Sequence, residues 1–227
     1  MRRAETDLEL FHQTKKRRKQ TLNRCVIFGG ADMTDMERIR RSLREDDFII
    51  CCDSGLKYAE QLSLHPDLIV GDFDSHQRPE TRTETIVLPR EKDDTDTVYA
   101  AREAVRRGFE EYLLIGVVGG RFDHTFGNIG MLLWLNEQGK KATILDDYSE
   151  MEIVSEEPAG IDASFAYFSL LNISGTAEEI TITGAKYPLE NATIRSDYQY
   201  GISNEVLPGQ TAVVTVGSGK LLLVKVY

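Results

Sequence analysis

Aspartates gather at points where short apolar runs give way to helical patterns. Gly71-Asp72-Phe73-Asp74-Ser75 follows the apolar run Leu68–Val70, and Lys92-Asp93-Asp94-Thr95-Asp96 opens the amphipathic stretch after Thr85–Leu88. If the chain stays extended, Asp72 and Asp74 point to one side and Phe73 to the other. Asp93 and Asp96, three apart at a helix start, can share one helical face. A third junction, Gly119-Gly120-Arg121-Phe122-Asp123-His124, lies between the run Glu111–Val118 and the next helix. Each motif alone has an ordinary reading, as a helix cap, a turn or a tight connection. Three such motifs at strand-to-helix junctions of one sheet are another matter, because that edge is where open α/β folds bind ligands.

Electrostatics sharpens the reading. Two carboxylates about 4 Å apart repel by roughly 4 kcal/mol at an effective dielectric near 20. Several converging aspartates therefore call for a cation, and an all-oxygen set suits Mg²⁺ rather than zinc. Mg²⁺ in such a site bridges to substrate phosphates. Lys92 and Arg121 add positive charge at the same edge, and Gly119-Gly120 would let backbone N–H groups approach a phosphate. These features describe a Mg-nucleotide site. The chain has no Gly-x-x-x-x-Gly-Lys-Ser/Thr run, and Gly29-Gly30 lacks the third spaced glycine of a dinucleotide fingerprint.

The elements that must position these residues are legible in the hydropathy pattern. Cys25–Phe28, Phe48–Cys52, Leu68–Val70, Thr85–Leu88, Glu111–Val118 and Ala142–Leu145 read as strands. Met36–Arg44, Leu56–Leu62, Thr95–Arg107 and His124–Gln138 read as helices between them. The alternation predicts a parallel sheet covered on both faces, a three-layer α/β domain. Beyond Asp146–Gly160 only short runs remain: Tyr167–Ile173, Glu179–Thr183, Ala192–Arg195, Thr211–Val216 and Leu221–Val226. They predict a small antiparallel β-sandwich. The expected organisation is a basic arm over residues 1–22, an α/β domain over 23–150 and a sandwich over 151–227. Trp134, on a predicted helix, reads as core.

Charge and cysteine usage bound the setting. The first 24 residues hold eight basic and three acidic residues, a net of +5, so with −10 for the whole chain the remainder carries −15. A body that acidic repels nucleic-acid backbone. The basic run Lys15–Lys19 reads as a solvated arm. No apolar run is long enough to span a bilayer, and no leader pattern opens the chain. Cys25, Cys51 and Cys52 fall in strand patterns and read as small buried residues in a reducing cytoplasm.

Taken in order, these motifs resemble the thiamine pyrophosphokinase family. Asp53-Ser54-Gly55 and Pro66–Ser75 look like its opening signature, and Lys92–Asp96 and Gly119–His124 with Asn128 follow in the family's order. Gly184-Ala185-Lys186-Tyr187-Pro188-Leu189 and Gly201-Ile202-Ser203-Asn204-Glu205 are similar to its late motifs. The resemblance covers residues 25–227.

The resemblance implies an α/β catalytic domain, a β-sandwich domain and a homodimer with thiamine between subunits. It implies attack of the thiamine hydroxyethyl oxygen on the β-phosphorus of ATP, with AMP leaving. Asp72, Asp74 and Asp96 would be the metal-site and catalytic carboxylates. Asp53, Gly55, Ser75, Lys92, Asp93, Arg121, Asp123, His124 and Asn128 would line the ATP side. Ser203 and Asn204, in a turn between strands, would sit at the thiamine or ATP end. Two departures stand out: Ser54 replaces a usual glycine, and Glu205-Val206-Leu207 lacks the tryptophan some relatives carry after Ser-Asn. The rival readings are a Mg-dependent phosphohydrolase, for which His124 is the candidate base, and a non-catalytic nucleotide sensor.

Overall fold

The computed structural model describes residues 24–73, 81–91 and 93–227. The basic arm, Asp74, Ser75 and Lys92, singled out above, lie outside the described residues. The chain divides into two compact units, Met1–Ala31 with Met36–Val117, and Asp32–Asp35 with Val118–Tyr227.

The first unit holds a parallel sheet of β1 (Arg24–Phe28), β2 (Phe48–Cys52), β3 (Leu68–Gly71), β4 (Glu84–Val87) and β5 (Glu111–Ile115). Their order is β5-β1-β2-β3-β4, and every adjacent pair is parallel. β1 and β3 are buried along their whole length, as apolar runs covered on both faces should be, with Arg24 at the start of β1 paired to Asp47 at 2.6 Å. Helices α1 (Met36–Ser42), α2 (Leu56–Leu62) and α3 (Asp96–Arg107) lie between the strands in the chain. α3 packs on β1, β2 and β3 through small residues, with Ala100, Ala101 and Ala104 buried.

The ends of α3 are fixed by specific chemistry. Thr95 Oγ1 accepts from Val98 N at 3.3 Å, so threonine and not aspartate is the N-cap. At the other end Gly108 adopts φ +91 and its N–H closes on the carbonyls of Ala104 and Val105. Asp93 therefore lies ahead of the helix, exposed, and does not share a helical face with Asp96. The expected pairing fails because the cap sits three residues later than a helix containing both would need.

The second unit contains α4 (Phe122–Glu137) and two antiparallel arrays. The first array, in spatial order, is β12 (Gly201–Asn204), β9 (Tyr167–Leu171), β14 (Leu221–Val226), β7 (Ser149–Val154) and β6 (Lys141–Leu145). The second is β11 (Leu189–Arg195), β10 (Thr176–Thr183), β13 (Ala212–Thr215) and β8 (Ala159–Ile161). Side chains of both, among them Phe168, Leu170, Ile180, Ile194, Val214 and Leu223, form one buried core. Residue 150 falls inside β7, which pairs with β6 and β14. β7 escaped the hydropathy reading because Glu150 and Glu152 interrupt it. Both carboxylates meet Lys225 of β14, at 2.8 and 3.1 Å. Trp134 is half-buried on α4.

Candidate functional site

In the first unit the chain leaves β2 at Cys52 and turns at once through Asp53-Ser54-Gly55 into α2. Gly55 has no alternative here, since a Cβ would stand 2.2 Å from the carbonyl oxygen of Phe28. Ser54 lies against Gly30, whose missing Cβ would meet the Ser54 hydroxyl at 2.9 Å. The serine departure is thus accommodated by a glycine elsewhere. Asp53 is held at φ +29, a conformation that costs a residue with a Cβ.

β3 ends at Gly71, where a Cβ would approach that of Asp53 to 3.1 Å. Glycine at this point lets the two strand ends come together. Asp72 follows, and Phe73 then adopts φ +51. That left-handed residue ends the extended conformation after Asp72, and Asp74, the other half of the expected pair, lies outside the described residues. Asp96, first residue of α3, completes the group. Carboxylate oxygens of Asp53, Asp72 and Asp96 all lie within 4.8 Å of one another. Oδ1 of Asp53 and Oδ1 of Asp96 are buried and accept no hydrogen bond among the described residues.

Two of the three are the predicted metal carboxylates. Asp53, expected only to line the ATP side, joins them. The signal for this was present, since an aspartate directly after a fully apolar strand sits at the same sheet edge as Asp72. Cys52, adjacent to Asp53, is buried, and burial together with the Asp96 carboxylate pushes its thiol well up. It stays protonated and offers no thiolate.

In the second unit Gly119 and Gly120 adopt φ +100 and +63 with open space at both Cβ positions. These glycines are required by conformation rather than by crowding. The Gly119 N–H donates to Thr125 Oγ1 at 2.9 Å, so it is committed within the loop and not presented to a phosphate as expected. Arg121 forks onto Asp123, with Nη2 2.5 Å from Oδ2 and Nε 3.2 Å from Oδ1. That hydrogen bond pulls Asp123 down to about 2 and raises Arg121. Both side chains are exposed, so the pair is readily exchanged for another anion. His124 is exposed, whereas Asn128 is buried on the face of α4 that carries Met131, Leu132 and Leu135.

The two late motifs run antiparallel to one another. Lys186 N donates to Glu205 O, Leu207 N donates to Gly184 O, and Ala185 bridges Val206. Ser203 and Asn204 lie in strand β12 rather than in a turn. The strand is irregular: its register against β9 slips between Gly201 and Asn204, and Ser203 takes φ +58. A strand containing glycine and a left-handed serine gives no clean period-two signal, which is why it read as a turn. A cavity of about 820 Å³ in this unit, lined by Leu132, Asn136, Lys141, Glu152, Pro158 and Lys220 among others, includes none of the residues singled out from sequence.

Two family models match adjoining stretches of the chain. Residues 39–144 match the catalytic domain of thiamin pyrophosphokinase, and residues 150–221 match its vitamin B1 binding domain. A thiamine pyrophosphokinase of Bacillus subtilis (strain 168) is 29% identical over 181 residues, 76% of this chain and 84% of that protein. The crystal structure of thiamin pyrophosphokinase from Geobacillus thermodenitrificans is similar with a TM-score of 0.78 at 27% identity, covering 90% of this chain and 97% of that one. The Bacillus subtilis crystal structure gives a TM-score of 0.80 at 24% identity, covering 89% and 98%, a likeness of fold.

Proposed function

The chain belongs to the thiamine pyrophosphokinase family, and from that premise we propose that it transfers the pyrophosphoryl group of ATP to thiamine, releasing AMP. The observation that carries the reading to the residues is the convergence of Asp53 and Asp72, at the ends of β2 and β3, with Asp96 at the start of α3.

The donor set fits Mg²⁺. At metal–oxygen distances of about 2.1 Å, octahedral ligands stand about 3 Å apart when adjacent and about 4.2 Å apart when opposite. A group spread over no more than 4.8 Å can supply two or three of them with little movement. Bound there, Mg²⁺ would neutralise polyphosphate charge that these carboxylates would otherwise repel. Asp74, two residues past Asp72, belongs to the same proposed set.

The thiamine hydroxyethyl oxygen forms a bond to the β-phosphorus while the bond from that phosphorus to the α-phosphate's bridging oxygen breaks. AMP departs with that oxygen, and the hydroxyl proton passes to solvent or a carboxylate. No covalent enzyme intermediate is needed, so catalysis rests on positioning and charge compensation. Arg121, released from Asp123, and Lys92 are assigned to the phosphates. Ser75, Asp93, Asp123, His124 and Asn128 are assigned to the ATP side, and the Ser203 region to thiamine. The phosphohydrolase reading is not favoured, since the family models and the curated relative that match are those of thiamine pyrophosphokinase.

A homodimer completes the proposal. β12 is the end strand of its array, and Tyr187, Tyr198 and Ile202 are exposed by 59, 69 and 55%. A second copy covering this edge would account for so much exposed apolar surface. Among the described residues no helix is long and apolar enough to cross a membrane. A cytoplasmic setting is part of the proposal, supported by three buried, free cysteines.

The test is product identification. Protein incubated with ATP, Mg²⁺ and thiamine should yield AMP and thiamine diphosphate in equal amounts. Stoichiometric ADP, or phosphate released without thiamine, would refute the assignment.

A further inference from the structure

Asn204 is 5% exposed, and its amide is committed to main chain. Its Oδ1 accepts from Tyr187 N at 3.0 Å and from Glu205 N at 2.9 Å, and its Nδ2 donates to Tyr187 O at 2.8 Å. An amide oxygen has two lone pairs, and both are used. Tyr187 is thereby gripped at both its N–H and its C=O by one side chain, opposite the last backbone bond of the motif pair, Lys186 N to Glu205 O. The Lys186–Glu205 ion pair, at 2.6 Å, closes the same junction from outside. What this grip leaves outward is the Tyr187 ring, 59% exposed, and Ser203, whose own N–H is tied to Ser169 Oγ at 3.0 Å.

We propose that Asn204 is a positioning residue and not a ligand contact: it fixes the Tyr187 main chain so that the Tyr187 ring, with the Ser203 hydroxyl, meets the thiamine. The proposal rests on the reading of the second unit as the thiamine-binding part. It reassigns Asn204, which the sequence grouped with Ser203 as a binding residue, and adds Tyr187. The chemistry suits the ligand, because an exposed phenol ring can lie against a cationic heteroaromatic ring while a hydroxyl bonds a ring nitrogen or amine.

The experiment is a double-mutant cycle on the full chain, read as KM for thiamine, with KM for ATP as the internal control and Tm as a check on folding. Alongside Asn204→Ala, which removes all three bonds without burying a charge, Asn204→Asp keeps the two accepting bonds but sets an oxygen against Tyr187 O where a donor stood. It should raise the thiamine KM roughly fivefold and leave the ATP KM within about twofold. Tyr187→Ala should raise the thiamine KM about tenfold. The combined variant should be no worse than Tyr187→Ala alone, because nothing remains to be positioned. A full Asn204→Asp penalty persisting in the Tyr187→Ala background would make Asn204 a direct contact and overturn the proposal. A fall in Tm with an unchanged thiamine KM would make the amide merely structural, and an unchanged KM in Tyr187→Ala would remove the ring from the site. Failure of the wild-type chain to make AMP in a thiamine-dependent way would instead sink the family-level reading, which separates the two.

Discussion

The acidic cluster of the first unit and the late-motif junction of the second achieve order by opposite means. Asp53, Asp72 and Asp96 are like charges brought within 4.8 Å, with Asp53 and Phe73 in left-handed conformations and Gly71 making room. The mutual repulsion and the left-handed backbone each cost folding free energy, while Gly71 relieves the crowding. At the late-motif junction Asn204 satisfies three main-chain groups and Lys186 neutralises Glu205, so the same contacts that shape the surface also stabilise it. The first arrangement carries its cost at the site proposed for the cation. The second is finished before any ligand arrives. Charge that repels itself marks where chemistry happens, whereas saturated hydrogen bonding marks what holds a binding surface in shape.

The largest effect that would test this contrast is at Asp72. Asp72→Asn should lower kcat by about 10³-fold, or about 4 kcal/mol of transition-state stabilisation. Its Tm in the presence of a chelator should be no lower than wild type, because a repulsion has been removed. A chelator Tm several degrees below wild type would mean that Asp72 is a structural residue and would erase the contrast. Next comes Gly55→Ala, which drives a Cβ into the Phe28 carbonyl at 2.2 Å. It should cost about 3 kcal/mol, seen as a fall in Tm of roughly 6–12 °C. A normal Tm there would show that the turn beneath Asp53 can relax and that its strained conformation is not imposed.

Asn204→Ala should behave in the reverse sense to Asp72→Asn. Leaving the Tyr187 N–H and C=O without their partner should cost about 2 kcal/mol in Tm-derived stability, whether or not metal is present. The smallest effect is remote from both regions. Glu103, 5% exposed, bonds Arg106 and Arg107 at 2.7 Å each, and the hydrogen bond from Arg106 holds its carboxyl below the usual range. A carboxylate with a depressed folded pKa stabilises above its unfolded value, near 4.3, and loses that contribution as pH falls through the folded value. Glu103→Gln should therefore cost about 1.5 kcal/mol at pH 7 and progressively less as the pH falls below about 4, with kcat unchanged. A pH-independent difference would assign the loss to packing instead.

How much of this was legible in the sequence varied with the physics of each part. The parallel strands were, because continuous apolar runs such as Phe48–Cys52 and amphipathic runs such as Leu56–Leu62 each have a single sensible reading. β7 and β12 were not, since one hides its character behind Glu150 and Glu152 and the other behind a glycine and a left-handed serine. Motif spacing found Asp72 and Asp96 but set Asp53 apart; its place after a fully apolar strand put it at the same sheet edge, while its close approach to the end of β3 depends on the absent Cβ of Gly71, a three-dimensional fact. The commitment of the Gly119 N–H to Thr125 was equally invisible, since hydroxyl direction is set by the turn and not by residue type.

The central claim is that Asp53, Asp72 and Asp96 form one cation site, and Asp53 is the position that discriminates. Mn²⁺, as a paramagnetic stand-in for Mg²⁺, can be titrated into the wild-type chain and into Asp53→Asn, with free Mn²⁺ read by electron paramagnetic resonance. The account predicts saturable binding by the wild type that weakens at least tenfold in Asp53→Asn, to the same extent as in Asp72→Asn and Asp96→Asn. Wild-type affinity retained in a folded Asp53→Asn variant would contradict it.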